Sequence, residues 1–362
     1  MKRTAFYDIH RSFNAKLVEF AGFEMPVQYS GILEEHHAVR TAVGIFDVSH
    51  MGEFEVRGKD ALAFLQKTTT NDVSKLSEGK AQYSAMCLEH GGIVDDLLVY
   101  HCGDYYMLVV NAANVEKDFR FLQAHKAGDV ELRDVSDKIS LLAVQGPRSL
   151  EVLKGLTDAD LSTIKYYNFI RTTLAGVPMI ISRTGYTGEL GFELYFDADP
   201  AIGTKVWNAV MEAGKKFGIM PVGLGARDTL RLEMGFCLYG NDIDESTTPL
   251  EAGLDWITKI EKGEFVGRSA LLAAKNGGLK RRLVGFTLSD KILARHGFPI
   301  LASGSRVGEV TSGTFSPTLQ KGIGMGYVSV EHAKPGSIVE IEVRGKRVEA
   351  TVVQMPFVPK HS

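Results

Sequence analysis

The pattern of apolar residues changes near residue 280, and this change constrains the fold more than any other feature of the sequence. Beyond it, short alternating runs are separated by Gly, Pro or Ser: RLVGFTL, GEVTSG, GIGMGYV, SIVEIEV and KRVEATVVQM. Such runs predict a small all-β unit that is barrel-like. The preceding stretch, EKGEFVGRSALLAAKNGGLKRR, predicts a helix and then a Gly-rich, basic hinge at Asn276 to Lys280. We therefore divide the chain into residues 1–276 and 277–362.

The earlier part alternates β-rich runs with amphipathic segments, a pattern typical of an α+β or α/β fold whose sheets are covered by helices. Strands are predicted at GEFEV (52–56), QYSAMCL (82–88), VDDLLVY (94–100) and YYMLVV (105–110). Helices are predicted at LEEHHAVRTA, DALAFLQKTT, NVEKDFRFLQAHK, KVWNAVMEAGKKF and ARDTLRLEMG. Asn114 precedes the third of these helices, where its side chain would cap free backbone N–H groups.

Size and charge exclude several classes of protein. The 362 residues suffice for two or three domains. A net charge of −3 provides no bulk attraction toward nucleic acid or an anionic membrane. No apolar run approaches the roughly 18 to 20 residues of a membrane-spanning helix, and the N-terminus does not resemble a secretory signal. We expect a cytoplasmic protein, although a mature mitochondrial form would look the same.

Metals, disulfides and nucleotides have no candidate motif. The three cysteines lack Cys-x-x-Cys spacing and the ten histidines are scattered, so we assign neither a disulfide framework nor a metal. The segment GLGARD (223–228) lacks the third glycine of a dinucleotide fingerprint, and no Walker-type loop is present. We therefore expect no nicotinamide or flavin site and no nucleotide hydrolysis.

Two adjacent carboxylates, Asp95 and Asp96, follow a pair of glycines and lead into an apolar strand. Because neighbouring side chains on a strand face opposite ways, the two carboxylates cannot form an acid/base dyad, and at most one enters a cavity. Asp96 would share its row with Leu98 and Tyr100, which places a carboxylate beside an aromatic face. The alternative is that both aspartates end a turn and face water.

A third carboxylate, Glu193, lies in the strand-like run GYTGELGFELYF. It shares a strand face with Tyr195, whereas Phe192 and Leu194 occupy the opposite face. A carboxylate beside aromatic rings suits a ligand with two adjacent N–H donors, such as the amide and amino edge of a pterin. The alternative is a glutamate that faces solvent on an edge strand.

Polar residues at the ends of other elements are weaker candidates. Arg231 has the spacing of an ion pair with Asp228 and is assigned a structural role. Arg227, at the start of that helix, could address a ligand carbonyl or carboxylate, or form a salt bridge. Asn111 follows an apolar strand, where ligands often bind, but it could equally be a turn residue. A lone histidine such as His50 is more often structural than catalytic.

Nine segments occur in a characteristic order: DVSHMGEF, GKAQYSAM, GGIVDDL, VVNAAN, LLAVQGP, RTGYTGELGFE, GLGARDTLRLE, LYGNDIDE and TSGTFSPTL. In order and spacing they resemble the T-protein family of the glycine cleavage system, and the resemblance extends to MPFVP near the C-terminus. It implies an α+β cloverleaf of three domains around a central cavity that holds tetrahydrofolate. Residues 1–276 would supply two interleaved subdomains, and the barrel-like unit 277–362 would be the third.

The resemblance also implies roles for individual residues. Asp96, the second aspartate of GGIVDD, would be the essential carboxylate, and Glu193 and Arg227 match residues that bind the folate. Further pocket positions are matched by Tyr83, Tyr100, Asn111, Tyr186 and Met51. The family often carries a Tyr or Arg beyond the MPFVP-like segment that contacts the folate tail. This chain ends PKHS, which puts the tail contacts in question, and Lys360 is one candidate for that place.

The implied activity is that of a tetrahydrofolate-dependent aminomethyltransferase in glycine catabolism. It would move a one-carbon unit from the S-aminomethyldihydrolipoyl arm of H-protein to tetrahydrofolate, giving 5,10-methylenetetrahydrofolate, ammonia and dihydrolipoyl H-protein. Because nucleophile and leaving groups belong to the substrates, the enzyme would act mainly through orientation and electrostatics. Ionised Asp96 would stabilise developing positive charge, or Asp96 would take a proton through water.

Proteins with a related fold perform other functions. Folate-binding proteins of iron–sulfur cluster assembly carry a Lys-Gly-Cys-Tyr-like motif, which GFCLYGND (235–242) is not. Flavin-linked sarcosine or dimethylglycine dehydrogenases need an N-terminal flavin domain, for which 362 residues leave no room. A demethylase of small methylated compounds stays open as an alternative, and it would neither use H-protein nor release ammonia.

Overall fold

The computed structural model describes residues 1–289 and 292–359, which form strands and helices in alternation. The strands are β1 (Lys16–Phe20), β2 (Phe23–Gln28), β3 (Val43–Asp47), β4 (Gly52–Arg57), β5 (Ala81–Cys87), β6 (Ile93–His101), β7 (Tyr106–Val110), β8 (Glu131–Asp134), β9 (Ile139–Gln145), β10 (Phe169–Leu174), β11 (Val177–Ser182), β12 (Gly191–Asp197), β13 (Ile219–Pro221), β14 (Arg281–Leu288), β15 (Pro299–Ala302), β16 (Ser305–Ser316), β17 (Lys321–Ser329), β18 (Ile338–Val343) and β19 (Lys346–Val353). The helices are α1 (Tyr7–Ser12), α2 (Ile32–Thr41), α3 (Ala61–Thr68), α4 (Val115–His125), α5 (Ser149–Leu153), α6 (Pro200–Gly214), α7 (Leu224–Glu233) and α8 (Arg268–Gly277).

Two sheets make up the larger part of the molecule. One is antiparallel and has the strand order β5-β6-β7-β4-β8. The other has the order β10-β11-β12-β9-β3-β13, in which β13 pairs parallel to β3 and the other neighbours pair antiparallel. Strand β3 precedes the whole of the five-stranded sheet in the sequence but pairs with β9, which follows it. The chain therefore leaves the six-stranded sheet, builds the five-stranded one and returns.

The two sheets face each other across a shared buried layer. Tyr100 and Met107 of the five-stranded sheet belong to the same apolar cluster as Tyr195 of the six-stranded sheet. The outer face of the six-stranded sheet packs through Leu194 on Trp207 of α6, while α3 and α4 cover the outer face of the five-stranded sheet. Strands buried on both faces read as nearly continuous apolar runs, as ISLLAV does in β9.

The C-terminal strands form a closed barrel with the order β14-β17-β16-β15-β18-β19, completed by pairing of β14 with β19. Its interior is filled by aliphatic and aromatic side chains, including Phe286, Ile300 and Ile341. The prediction of an α+β fold with a C-terminal β-barrel is therefore confirmed. The short strand β15 was not predicted from the sequence.

The barrel is joined to α7 through buried polar contacts. The Arg231 guanidinium donates from Nη1 to Asp242 Oδ2 at 2.7 Å and from Nη2 to Ser312 Oγ of β16 at 2.9 Å. Glu233 accepts hydrogen bonds from Ser316 and Thr318, which also belong to the barrel side of this contact. These contacts fix the helix on which Arg227 lies and agree with the structural role expected for Arg231.

Two local expectations were wrong. Helix α6 begins at Pro200, five residues before the predicted start at Lys205, because the Asp199 carboxylate accepts from Ala201 N at 2.7 Å and caps the helix there. Asn114 precedes α4 as expected but makes no side-chain capping bond, since its Nδ2 donates to Asp95 Oδ1 at 2.6 Å instead.

Two further expectations concern membrane-spanning helices and Lys360 near the C-terminus. Within residues 1–289 and 292–359, no helix combines the length and the apolar composition that crossing a membrane requires. Lys360, the suggested substitute for a folate-tail contact, lies outside the described residues.

Candidate functional site

Asp96 lies on β6 and is held by two hydrogen-bond donors. Tyr83 of the neighbouring strand β5 donates its hydroxyl to Asp96 Oδ2 at 2.8 Å, and Asn111 donates its Nδ2 to Asp96 Oδ1 at 2.9 Å. Tyr83 pairs with Leu98, two residues from Asp96, so a long side chain can reach the carboxylate diagonally across the strands. Asn111 arrives from the end of β7, where the sequence predicted a polar amide.

Asp95 faces the opposite side of β6, as strand alternation predicts. It is fully buried and accepts hydrogen bonds from Asn111 and from Asn114 at the start of α4. The alternative in which both aspartates face water is therefore wrong. Because Asn111 Nδ2 also lies 2.8 Å from Asp95 Oδ1, one amide group is directed at both carboxylates.

The surroundings of Asp96 raise the pKa of its carboxyl to about 7. Burial is the largest cause, and the negative charge of Asp95 acts in the same direction. The hydrogen bonds from Tyr83 and Asn111 lower the pKa and oppose this shift only in part. A carboxyl group in this state can gain or lose a proton near neutral pH, which is what general acid–base catalysis requires.

Glu193 lies on β12 and points into the region between the two sheets, on the same strand face as Tyr195. Its Oε2 accepts from Thr184 Oγ1 and from the Tyr195 hydroxyl at 3.3 Å. Burial raises the pKa of Glu193, while these two hydrogen bonds and the charge of Arg227 lower it. Glu193 is half-buried and Phe192 and Leu194 point into the opposite core. The alternative of a solvent-facing glutamate on an edge strand is wrong, because β12 lies between β11 and β9.

Arg227 lies in the first turn of α7. Within residues 1–289 and 292–359, no Asp or Glu oxygen lies within 4.0 Å of its guanidinium, in contrast to Arg231. The guanidinium stacks over the Tyr186 ring, 4.6 Å from the centroid. Burial lowers the pKa of Arg227, with Arg231 acting in the same direction and Tyr186 and Glu193 opposing it. The salt-bridge alternative for Arg227 is therefore not supported.

Tyr186 connects Arg227 to the barrel side of the site. Its hydroxyl donates to the backbone carbonyl of Cys237, and its ring stacks on Phe236 at 5.7 Å. Burial raises the pKa of Tyr186, and the negative charge of Asp96 contributes to the same shift.

A cavity of about 280 Å³ opens beside Tyr186 and Arg227. The barrel supplies Thr311, Ser312 and Gly313 to its wall, and the residues Arg295 and His296 complete that side. Of the predicted site residues, Tyr186 and Arg227 line this cavity, whereas Asp96 and Glu193 lie outside its lining.

Tyr100 and Met51, two further predicted pocket residues, and His50, expected to be structural, do not line the cavity. Tyr100 is fully buried, and its hydroxyl lies 3.0 Å from that of Tyr195, so it reaches Glu193 only through other residues. Met51 is half-buried and packs against the layer between the sheets. His50 is buried, and burial lowers the pKa of its imidazole to about 3, which keeps the ring neutral.

Several residues that shape the site were not predicted. Thr184 donates to Glu193, Asn114 donates to Asp95, and the exposed Trp256 ring lies 5.8 Å from the Tyr83 ring. Thr184 could have been suspected from its place in RTGYTGELGFE. The contacts of Asn114 and Trp256 join segments that are distant in sequence, and local patterns carry no signal for them.

Models of two protein domains match this chain. A model described as the GCVT N-terminal domain matches residues 6–262, and one described as the glycine cleavage T-protein C-terminal barrel domain matches residues 281–359. Together they span both sheets, α7 and the barrel, which includes every residue of the site described above.

Individual proteins are similar over the full length of the chain. The aminomethyltransferase of Chloroherpeton thalassium is 56% identical and that of Halothermothrix orenii 52%, with coverage of 100% and 99% of this chain and 100% of each relative. The crystal structure of glycine cleavage system aminomethyltransferase T from Bartonella henselae superposes with a TM-score of 0.92 at 34% identity, covering 99% of this chain and 98% of that one.

Proposed function

The chain belongs to the glycine cleavage T-protein family, and from this premise we propose that Asp96, Glu193 and Arg227 form the site at which it transfers a one-carbon unit from aminomethylated H-protein to tetrahydrofolate. The protein is an aminomethyltransferase of the glycine cleavage system. Members of this family use tetrahydrofolate as a substrate. The residue roles and the carrier protein are the steps that we add.

The observation that carries the assignment of Asp96 is its pair of donors. Tyr83 and Asn111 fix the direction of the two carboxylate oxygens of Asp96, at 2.8 and 2.9 Å, and the pKa of this carboxyl group lies near neutrality.

When bound, tetrahydrofolate supplies N5 and N10 for the two new bonds to carbon. The C–S bond and the amine C–N bond of the aminomethyl group break. The protons lost from N5 and N10 end on the thiol and on ammonia. Asp96 would accept one of these protons or, when ionised, stabilise the positive charge that develops nearby.

Glu193 and Arg227 have chemistry that fits a reduced pterin. Within the described residues, Glu193 Oε2 accepts from Thr184 and Tyr195, while Oε1 accepts no hydrogen bond and is free to receive a ligand N–H. Arg227 stacks on Tyr186 and has no carboxylate partner there, so its donors can address a ligand carbonyl or carboxylate. We propose that these two residues bind the folate, with Asn111, Tyr83, Tyr100, Tyr186 and Met51 forming or supporting the pocket.

The second substrate is the carrier of the aminomethyl group. In the proposed reaction this group is bound to a sulfur atom of the carrier, and we propose that the sulfur belongs to the dihydrolipoyl arm of H-protein. A demethylase of small methylated compounds would share the folate site but release no ammonia. The relatives named aminomethyltransferase match this chain from end to end, which favours the transferase.

Two further parts of the assignment stay proposals. We propose residues 1–276 and 277–362 as the domains, with two interleaved subdomains in the first. The bacterial origin of the relatives supports a cytoplasmic location.

The test is to mix the purified protein with aminomethylated H-protein and tetrahydrofolate and to assay ammonia and 5,10-methylenetetrahydrofolate, omitting each component in turn. We expect both products only when both substrates are present. Asp96→Asn should bind folate but lose turnover, and the surface variant Asp158→Asn serves as the matched control. Full turnover by Asp96→Asn would reject the proposed role. Folate binding without either product would favour a folate-binding module or a demethylase of small methylated compounds.

A further inference from the structure

Asp95 and Asp118 form a pair of buried carboxyl groups on the side of β6 opposite Asp96. The proposed reaction does not use them. Asp95 is fully buried and accepts from Asn111 N at 3.0 Å, Asn111 Nδ2 at 2.8 Å and Asn114 Nδ2 at 2.6 Å. These contacts direct Asn111 Nδ2, which also donates to Asp96. The orientation of one of the two donors on Asp96 therefore depends on Asp95.

Asp118 packs against Asp95 from helix α4. It lies four residues after Asn114, so both side chains reach β6 from the same face of the helix, and it is fully buried. Within the described residues, no N–H donor and no hydroxyl reaches either of its oxygens. Its hydrogen-bonding neighbour is the Asp95 carboxyl group itself.

The charged and titratable groups around Asp118 do not compensate a second negative charge. Asp95 faces it from β6, and the negative charge of Asp96, on the other side of that strand, adds to the electrostatic repulsion. The adjacent Lys117 is directed elsewhere, with its Nζ 2.6 Å from the Tyr239 hydroxyl and 3.7 Å from Glu245 Oε1. Neither carboxyl group is paired with a cation among the described residues. Two such buried groups in contact cannot both ionise, so they share one proton. In agreement with this geometry, burial and the charge of Asp95 raise the pKa of Asp118 to about 11, and the charge of Lys117 opposes this shift only in part.

We propose that Asp118 is a positioning residue that stays a neutral acid and donates its hydroxyl to Asp95, thereby keeping Asp95 an acceptor that directs Asn111 onto Asp96. This inference rests on the proposed role of Asp96. Burial raises the pKa of Asp95, and the hydrogen bond from Asp118 is one of those that lower it. Without that donor, the pKa of Asp95 would rise, and Asp95 would take up a proton from solvent and no longer be a pure acceptor. Asn111 could then turn its carbonyl oxygen toward Asp95, and Asp96 would lose one of its two donors.

A pair of substitutions separates a neutral donor from a charged or merely space-filling residue. Asp118→Asn has nearly the same shape and keeps an N–H donor toward Asp95, whereas Asp118→Leu fills the space without any donor. We expect Asp118→Asn to retain kcat within about threefold and Asp118→Leu to lose about tenfold or more in kcat, the loss expected for one misplaced hydrogen bond. The acid limb of the pH–rate profile should move to lower pH in Asp118→Leu only, because protonation of Asp95 removes the negative charge that raises the pKa of Asp96, and this outweighs loss of the Asn111 hydrogen bond.

The protonation state is tested without activity. Infrared difference spectra between the wild-type protein and Asp118→Asn are recorded at pH 9, where Asp96 is ionised and Asp118 is not, with both proteins folded. The spectra should show the carbonyl stretch of one additional protonated carboxylic acid in the wild type. Absence of that band, or equal damage to kcat in the two folded variants, would overturn the proposal. Should the wild-type protein show no transfer, the proposed function fails, while the infrared result still decides the state of Asp118.

Discussion

The hydroxyl of Tyr83 donates to Asp96 Oδ2 at 2.8 Å and lowers the pKa of a carboxyl group that burial and Asp95 raise. A phenol keeps its own proton under these conditions, because burial raises the pKa of Tyr83 well above its usual value. Tyr83 is therefore a permanent donor, and the ionisation of Asp96 near neutrality depends on it.

Removing that donor should move the pH dependence of the reaction. In Tyr83→Phe we expect the acid limb of the single-turnover rate to shift to higher pH, because Asp96 ionises less readily, and the rate at pH 7 to fall by about three- to tenfold. Tyr7→Phe, at the far N-terminus, is the matched control. An unchanged pH profile with a lower rate at every pH would mean that Tyr83 acts on the substrate rather than through Asp96.

Asp96 should also make the stability of the folded protein depend on pH. Its pKa is raised from 3.8 to about 7, so the folded state binds the proton more tightly than the unfolded chain does. The contribution of Asp96 to the free energy of unfolding therefore declines as pH rises from about 4 to 7. Asp96→Asn cannot ionise, and we expect it to be more stable than the wild type at pH 8 by about 2–4 kcal/mol.

Urea unfolding between pH 5 and 8 measures this difference, which should narrow as the pH falls. Asp158→Asn, on the surface, should show no such trend. Parallel stability curves for the wild type and Asp96→Asn would show that Asp96 does not carry the shift.

The two arginines of α7 should separate into a structural and a binding residue. Arg231→Leu leaves the fully buried Asp242 without its ion-pair partner, and we expect a loss of about 3–5 kcal/mol in unfolding free energy. Arg227→Leu removes the contact with the Tyr186 ring, which contributes about 1 kcal/mol or less. We expect this variant to fold but to bind tetrahydrofolate at least tenfold more weakly, a loss of about 1.4 kcal/mol.

Denaturant unfolding and calorimetric titration with tetrahydrofolate distinguish the two variants. The reverse pattern, with Arg227→Leu unstable and Arg231→Leu stable, would contradict the assignment.

The sequence predicted much of this architecture because it depends on periodicity. Strands β4 to β7 lie within one residue of their predicted bounds, and strand alternation placed Asp95 and Asp96 on opposite sides of β6 and Glu193 on the face of Tyr195. The closed barrel follows from the same alternation. Such features are local, and the chain folds as its local preferences indicate.

The sequence could not predict which distant groups complete the site. Whether Asn114 caps α4 or donates to Asp95 depends on how closely the helix packs on β6, and the tertiary contact prevails over the local one. The start of α6 was misplaced because Asp199 and Pro200 lie outside the amphipathic pattern on which that prediction rested. The same limit applies to Asp118, which the sequence presents as an ordinary acidic residue near a helix start.

The contact between Thr184 and Glu193 leads to the last prediction, which rests on the proposed folate site. Thr184→Val keeps nearly the same shape but removes the hydroxyl that lowers the pKa of Glu193. If ionised Glu193 accepts the pterin N–H groups, tetrahydrofolate affinity declines as pH falls through that pKa, and in the variant the decline should begin at higher pH. Calorimetric titrations across pH measure it, with Thr173→Val on the exposed side of β10 as control. Equal pH dependence in both proteins would mean that the folate does not bind through ionised Glu193.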